Sequence, residues 1–136
     1  MKEYAIRLKE GADLKKEIER ICIDNSFNTA VVLSAVGCLK KAHLRLAKAI
    51  NEIDVNEDFE IVSLNGTISN GKAHLHISLA DEIGNCIGGH LKEGCIINTT
   101  CELVLGILLE YNSERKYDKD TGFDEIDFRK KDLDYD

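Results

Sequence analysis

The sequence predicts an α+β domain, a mostly antiparallel β-sheet with one early helix, on three observations. One segment near the N-terminus carries a helical stripe of apolar residues. Most of the remaining chain alternates with period two or runs in β-branched residues. Turn signals separate these runs. A chain of 136 residues fits one domain. At that size folding buries about two-thirds of the unfolded surface, enough for a core without covalent staples.

The first element, "EYAIRL", alternates Tyr4, Ile6 and Leu8 against Ala5 and Arg7, which predicts a strand. The period then changes in "EGADLKKEIERICIDN": Leu14, Ile18, Ile21 and Cys22 form one helical stripe, with Asp13 at the start, where a carboxylate suits the helix dipole, and Asn25 near the end. "FNTAVVLSAVG" predicts a strand punctuated by Gly37, and "KAHLRLAKAI" a strand or a short helix, with strand preferred from its neighbours; "NEIDVNED" is a polar connection. "FEIVSLNGTIS" and "AHLHISLA" flank an Asn-Gly turn and predict a hairpin. "DEIGN" predicts a turn, "CIGGHL" a short strand, and "KEG" a further turn. "CIINTTCELVLGILLEY" predicts one strand or two joined by a bend, with Gly106 the place for a bulge. These elements define a domain over residues 1–111. Residues 112–136 form a charged C-terminal segment in which Tyr117, Phe123, Ile126, Phe128, Leu133 and Tyr135 are spaced among charges, a pattern that predicts partial docking on the domain or on a neighbouring subunit.

Composition excludes several classes. No run approaches the ~20 apolar residues needed to span a bilayer, and the N-terminus has no continuous apolar stretch of the signal-peptide kind, so the expectation is a soluble, cytoplasmic protein without a membrane partner. Five cysteines, an odd number with no C-x-x-C pair, predict neither a disulfide framework nor a zinc ribbon. A net charge of −7 argues against a protein that holds nucleic acid by bulk charge alone. No phosphate-cradling loop, G-x-S-x-G or dinucleotide fingerprint occurs, and Cys86 or Cys95 lacks an orienting third group for Cys–His catalysis.

"GKAHLHISLADEIGNCIGGHL" holds three of the four histidines. In an extended segment Leu75, Ile77 and Leu79 share one face, and His74, His76 and Ser78 the other. Same-face neighbours stand about 6.5–7 Å apart, so two imidazoles there can lean onto one ion. A sharp turn at Gly88–Gly89 would bring His90 alongside. Three imidazoles with an open position suit zinc or another first-row transition metal. Glu102 is a candidate fourth ligand, or an acceptor behind one, and Ser78 a candidate wall of the same pocket. The plainer alternative is a polar sheet face with His90 making a structural hydrogen bond, because H-x-H in a strand is less specific than paired histidines on a zinc helix. His43 reads as a surface residue.

The central block, "FEIVSLNGTISNGKAHLHISLADEIGNCIGGHLKEGCIINTTCELVL", resembles the PPC domain shared by plants and prokaryotes. It supplies Glu60, Ile61, Ser63, Leu64 and Gly66, then His74, His76, Ser78 and Asp81, then Gly88, Gly89, His90 and Gly94, then Thr99 and Glu102, at the family's positions. "SAVGCLKKAHLRLA" and "TGFDEIDF" resemble its flanking elements. The resemblance implies an α+β fold, a homotrimer, a metal site on the histidine trio, and a regulatory role through DNA or protein partners. Plant members carry an AT-hook, a basic R-G-R core flanked by proline. This chain has neither R-G-R nor any proline, so DNA binding does not transfer through that element. Three copies at −7 each, −21 in all, oppose a polyanion. The densest candidate DNA contact is Lys40, Lys41, Arg45 and Lys48, whose ordinary reading is a solvated strand face. Two functions follow: a non-enzymatic trimeric interaction module, placed first for want of a catalytic motif, and a metal-dependent enzyme or small-molecule sensor using the three histidines.

Overall fold

The computed structural model describes residues 1–132. Leu133 and Tyr135, two of the residues expected to dock the C-terminal segment, lie outside the described residues. The elements are β1 (Lys2–Lys9), α1 (Leu14–Asp24), β2 (Thr29–Arg45), a 3₁₀ turn (Ala47–Ala49), β3 (Glu52–Val55), β4 (Phe59–Ser69), β5 (Lys72–Ala80), β6 (Cys86–Leu91), β7 (Ile96–Ile107), β8 (Tyr111–Asp118) and β9 (Phe123–Lys130).

The helix forms where the apolar stripe places it. Leu14, Ile18, Ile21 and Cys22 are all buried. One carboxylate oxygen of Asp13 accepts from the Lys16 amide at 3.1 Å, capping the first turn, and the other accepts from the Gly94 amide at 2.7 Å. A single side chain thus starts the helix and ties it to the turn between β6 and β7. At the other end Asn25 Nδ2 donates to the Ile21 carbonyl at 2.8 Å.

All sheet pairings are antiparallel, in the order β1-β7-β2-β4-β5-β6, with β3 beside β2. The first strand pairs with the seventh, Lys2 opposite Ile107. The long β2 organises the rest. Its first two-thirds lie between β4 and β7; its last residues lie between β3 and β6, with Leu44 opposite both Ile53 and Leu91. The β2–β6 pairing closes β2, β4, β5 and β6 on themselves. Leu39, Leu44, Ile68, Leu75, Leu79, Leu91, Ile97, Leu103 and Leu105 fill the interior with almost no exposure, each worth ~1.5–3 kcal/mol of burial.

Three local expectations change. Residues 29–45 are one strand rather than two, because Gly37 is a site of close approach and not a break: a Cβ there would lie 2.1 Å from the Thr100 carbonyl oxygen of β7. "NEIDVNED" contains β3, whose Ile53 and Val55 pack against the core from an otherwise polar stretch. Gly106 stays in register opposite Val31 and Glu3; the irregularities fall between Val32 and Ser34, Gly37 and Cys38, and Leu39 and Lys41. The middle one places Thr99 at φ 63°, with its amide donating to Glu10.

The segment read as a charged tail contains a β8–β9 hairpin. It is anchored at buried Ser113. The Ser113 hydroxyl lies 2.6 Å from the Thr29 hydroxyl and 2.7 Å from the Ser69 hydroxyl, and its amide donates to Asn28 Oδ1 at 2.7 Å. Polar groups rather than the spaced aromatics make this joint: Tyr117, Phe123 and Phe128 remain exposed.

Among the described residues no helix is long and apolar enough to cross a membrane. Burial holds the Cys22, Cys95 and Cys101 thiols up at about 11, whereas Cys86 is exposed. Native alkylation at pH 8 followed by mass spectrometry should therefore label Cys86 first and those three only after denaturation. Early labelling of Cys95, which sits where β7 meets the helix start, would contradict the closed core.

Candidate metal centre

The alternation that buries Leu75, Ile77 and Leu79 turns His74 and His76 to the opposite face of β5. His90 reaches them as a ladder neighbour: it lies directly opposite His76 across β5–β6, and opposite Arg45 across β2–β6. The ring centroids are 5.3 Å apart for His74–His76, 5.2 Å for His74–His90 and 5.7 Å for His76–His90. One nitrogen from each imidazole lies within 4.8 Å of the others.

The means of delivery differs from the sequence expectation. Gly88 and Gly89 do not bend the chain; both lie within β6, and the turn is made earlier, at Asp81–Asn85, where Asp81 Oδ1 accepts from the Ile83 and Asn85 amides. The glycines are required by proximity instead. A Cβ on Gly88 would meet the Ile77 carbonyl oxygen at 2.8 Å, and one on Gly89 the Arg45 carbonyl oxygen at 2.7 Å. Their bare backbones let β6 fit between β5 and β2, which aligns His90 with both His76 and Arg45.

The electrostatics favour neutral imidazoles. Burial, reinforced by the Arg45 guanidinium, pushes His90 down to about 4. His74 is also lowered, by burial first and then by Arg115. At neutral pH both offer a lone pair. His90 Nδ1 and Arg45 Nε are shut off from solvent and make no hydrogen bond among the described residues. A buried polar atom without a partner is costly, so an orphaned imidazole nitrogen beside two other imidazoles suits an ion. Tetrahedral zinc, with bonds of about 2.0–2.1 Å, needs donors about 3.3–3.4 Å apart, which small side-chain rotations can supply.

The other singled-out residues are dispersed. Ser78 is one step beyond His76 on the same face, opposite Gly88. Glu102 is exposed on β7, opposite Arg7 and Val36, and is outside the histidine cluster. The basic run divides. Lys40 pairs with Glu10 at 2.7 Å, Lys41 with Asp54 at 3.7 Å, and Lys48 sits in the 3₁₀ turn at φ 74°. Arg45 lies opposite His90 across β2–β6, and Lys48 lines a cavity beside His76 and His90 with it. His43 is held by the Glu93 carbonyl oxygen, 2.7 Å from Nδ1.

Beside the trio is a cavity of about 390 Å³ lined by Lys15, Glu19, Arg45, Lys72, Ala73, His74, His90, Arg115 and Phe123–Glu125. Arg115 and Phe123 come from the hairpin. Spacing within the sequence gives no sign of them at the site, because a tail and a strand 40 residues earlier meet only through tertiary structure. Phe123 leaves two legible traces, its spacing among charges and its place in "TGFDEIDF"; Arg115 leaves none.

The Plants and Prokaryotes Conserved (PCC) domain, the same domain as PPC, matches residues 1–109. The chain is similar to two Synechococcus proteins, each named bifunctional protein GlmU, with 42% identity over 96% and 93% of this chain. It spans about a fifth of the length of those curated relatives (21% and 20%). Among solved structures it resembles a hypothetical protein from Salmonella enterica (31% identity, TM-score 0.91, covering 95% of this chain and 94% of that one). It also resembles a metal-containing protein from Archaeoglobus fulgidus (27%, 0.78, 91% of each). A Bacteroides thetaiotaomicron protein described as a candidate DNA-binding protein shares the fold (24%, 0.81, 93% and 91%).

Gly89→Ala tests the alignment. Its methyl would press on the Arg45 carbonyl, and the expected cost is ~1–3 kcal/mol, read as a lower urea midpoint with an unchanged slope. Stability equal to the parent chain would refute the account of β6 as wedged between β5 and β2.

Proposed function

Because the chain belongs to the Plants and Prokaryotes Conserved (PCC) domain family, we propose that it is a non-enzymatic, homotrimeric regulatory module with a zinc or other first-row transition metal ion on His74, His76 and His90. The observation that carries the metal assignment is the convergence of three imidazole nitrogens within 4.8 Å, two of the rings held neutral by their surroundings. Imidazole is the ligand type such metals favour. When bound, the ion supplies a Lewis-acid centre with an open position. The chain's own residues fix the two imidazole-bearing strands and keep His74 and His90 deprotonated. Resemblance to a metal-containing Archaeoglobus protein supports the same reading.

The trimer is supported by family membership and by exposed apolar side chains on β2 and β4: Leu33, Val36 and Val62 are 46%, 53% and 58% exposed. Three apolar side chains on neighbouring strands are the kind of surface that partners cover. As partner, a regulatory protein fits better than DNA. The Bacteroides protein's description supports DNA as the other partner class, yet Lys40 and Lys41 are already matched by carboxylates. That leaves Arg45 and Lys48 of the run, two phosphate contacts per chain that add only about −2 to the salt slope for each copy engaged. A metal-dependent enzyme or small-molecule sensor is the second reading, favoured by the cavity that opens beside the histidines.

Protein purified without chelators should carry about one metal equivalent per chain by elemental analysis. His76→Ala should lose it and His43→Ala retain it; sub-stoichiometric metal in the parent chain would remove the assignment. Light scattering should give three times the 15.2 kDa chain mass, and Val62→Glu should lower it. A monomer at micromolar concentration would exclude the trimer. A gel shift by duplex DNA that survives ~0.2 M salt would overturn the preference for a protein partner.

A further inference from the structure

We propose that the cavity between the histidine cluster and the β8–β9 hairpin binds a small anion, a carboxylate or a phosphate, between Arg45 and Arg115, with Phe123 over it. The two guanidiniums come from segments 70 residues apart and face the same cavity. Both are half-buried. Neither has a carboxylate within salt-bridge distance among the described residues, and Arg115 makes one weak hydrogen bond, Nη2 to the Thr67 hydroxyl at 3.4 Å. In this chain that is informative, because acidic side chains outnumber basic ones by 25 to 18. Arg20 is held by Glu17 and Asp24, and Arg129 by Glu114 and Asp127. With carboxylates in excess, two half-buried guanidiniums left unmatched beside one cavity are available for an external anion. The Arg45 Nε has no hydrogen-bond partner among the described residues, so nothing within them holds this guanidinium.

The size and the remaining wall select the class. About 390 Å³ falls within the roughly 300–1,000 Å³ of small-molecule sites. Guanidinium forks recognise carboxylate and phosphate through paired, charge-assisted hydrogen bonds. Glu19 does not compete, since it accepts from Lys15 Nζ at 3.1 Å and from the Ala73 amide at 2.9 Å. Asp124 and Glu125, exposed on the hairpin, add negative charge to the wall, so an anion is held there by directed guanidinium contacts and not by the bulk charge of the cavity. The Phe123 ring, 55% exposed, also lines the neighbouring cavity on the other side of His90, and so provides an apolar cover beside the histidines. The inference rests on the metal reading only in that a ligand oxygen could also complete the ion's coordination; the arginine contacts do not require it.

The test is a titration of ¹⁵N-labelled full-length protein with inorganic phosphate, with malonate and with chloride, following the arginine Nε–H signals, in zinc-loaded and chelator-treated samples. Saturable shifts at Arg45 and Arg115 with phosphate or malonate and not with chloride, weakened at least about tenfold in Arg115→Gln, uphold the proposal; the stronger of the two anions identifies the class. Phe123→Ser, at an exposed position, should weaken binding by a smaller factor with the fold intact. Shifts that grow linearly to ~20 mM, or are the same with chloride, overturn it. So does binding seen only in the zinc-loaded sample and unchanged by Arg115→Gln, which assigns the anion to the ion alone. Saturable binding by a sample that takes up no zinc rejects the metal reading and leaves this one standing; stoichiometric zinc without anion binding does the reverse.

Discussion

The closure of the sheet through β2 is the constraint on which the rest depends. One strand of 17 residues serves four partners, and its last turnings bring β6 in beside it. That contact is possible only because two successive residues of β6 lack side chains: at Gly88 and Gly89 the carbonyls of Ile77 and Arg45 occupy the space a methyl would need. With β6 fixed on both edges, His90 has no freedom of register. It faces His76 on one side and Arg45 on the other, so the imidazole cluster and its neighbouring cation are set by backbone pairing rather than by side-chain packing. The interior supplies the other half of the arrangement, since Leu75, Ile77 and Leu79 cannot leave the core without turning His74 and His76 away from their common face.

How much of this was legible follows from which signals are local. The stripe Leu14, Ile18, Ile21, Cys22 and the capping Asp13 specify α1 by themselves. The alternation of "HLHISLA" specifies the face, and Asn70–Gly71, at φ 48° and 75°, specify the hairpin turn. The diglycine was misread because glycine marks both a bend and a tight backbone approach, and only the neighbouring strands distinguish them. The same ambiguity explains Gly37, which looked like punctuation and is a contact. β3 was missed because two apolar residues in an acidic stretch carry too little pattern. Its partner, already committed to other strands, draws it in. The motif resemblance pointed to the histidines and the family. It could not place Glu102, whose spacing from them in sequence says nothing about its position two strands away on the other edge of β2.

The basic run illustrates the same lesson for function. Lys40, Lys41, Arg45 and Lys48 are close in sequence but do not form one basic surface, although Arg45 and Lys48 line a common cavity. Glu10 and Asp54 neutralise the first two, the last stands in a strained turn, and Arg45 belongs to the histidine site. The residues that join it there, Arg115 and Phe123, lie beyond the segment that the family domain covers. The domain therefore provides the imidazoles and the closed sheet, while the hairpin attached at Ser113 provides much of the cavity's opposite wall. Changing that hairpin would alter what the cavity accepts without touching the strands that hold the cluster.

The pairing of the first strand with the seventh has a consequence for how the molecule is made. Lys2 to Lys9 are made before their hydrogen-bonding partners, Thr100 to Ile107, which form the last strand of the main sheet to be synthesised. Until then the first strand, with Tyr4, Ile6 and Leu8 along it, has nowhere native to dock, whereas the helix that follows carries its own cap in Asp13 and lacks only the tie to Gly94. A sheet that pairs its first strand with its seventh gains little from folding as it emerges. The edge of the sheet that β1 completes therefore stays open until β7 is in place.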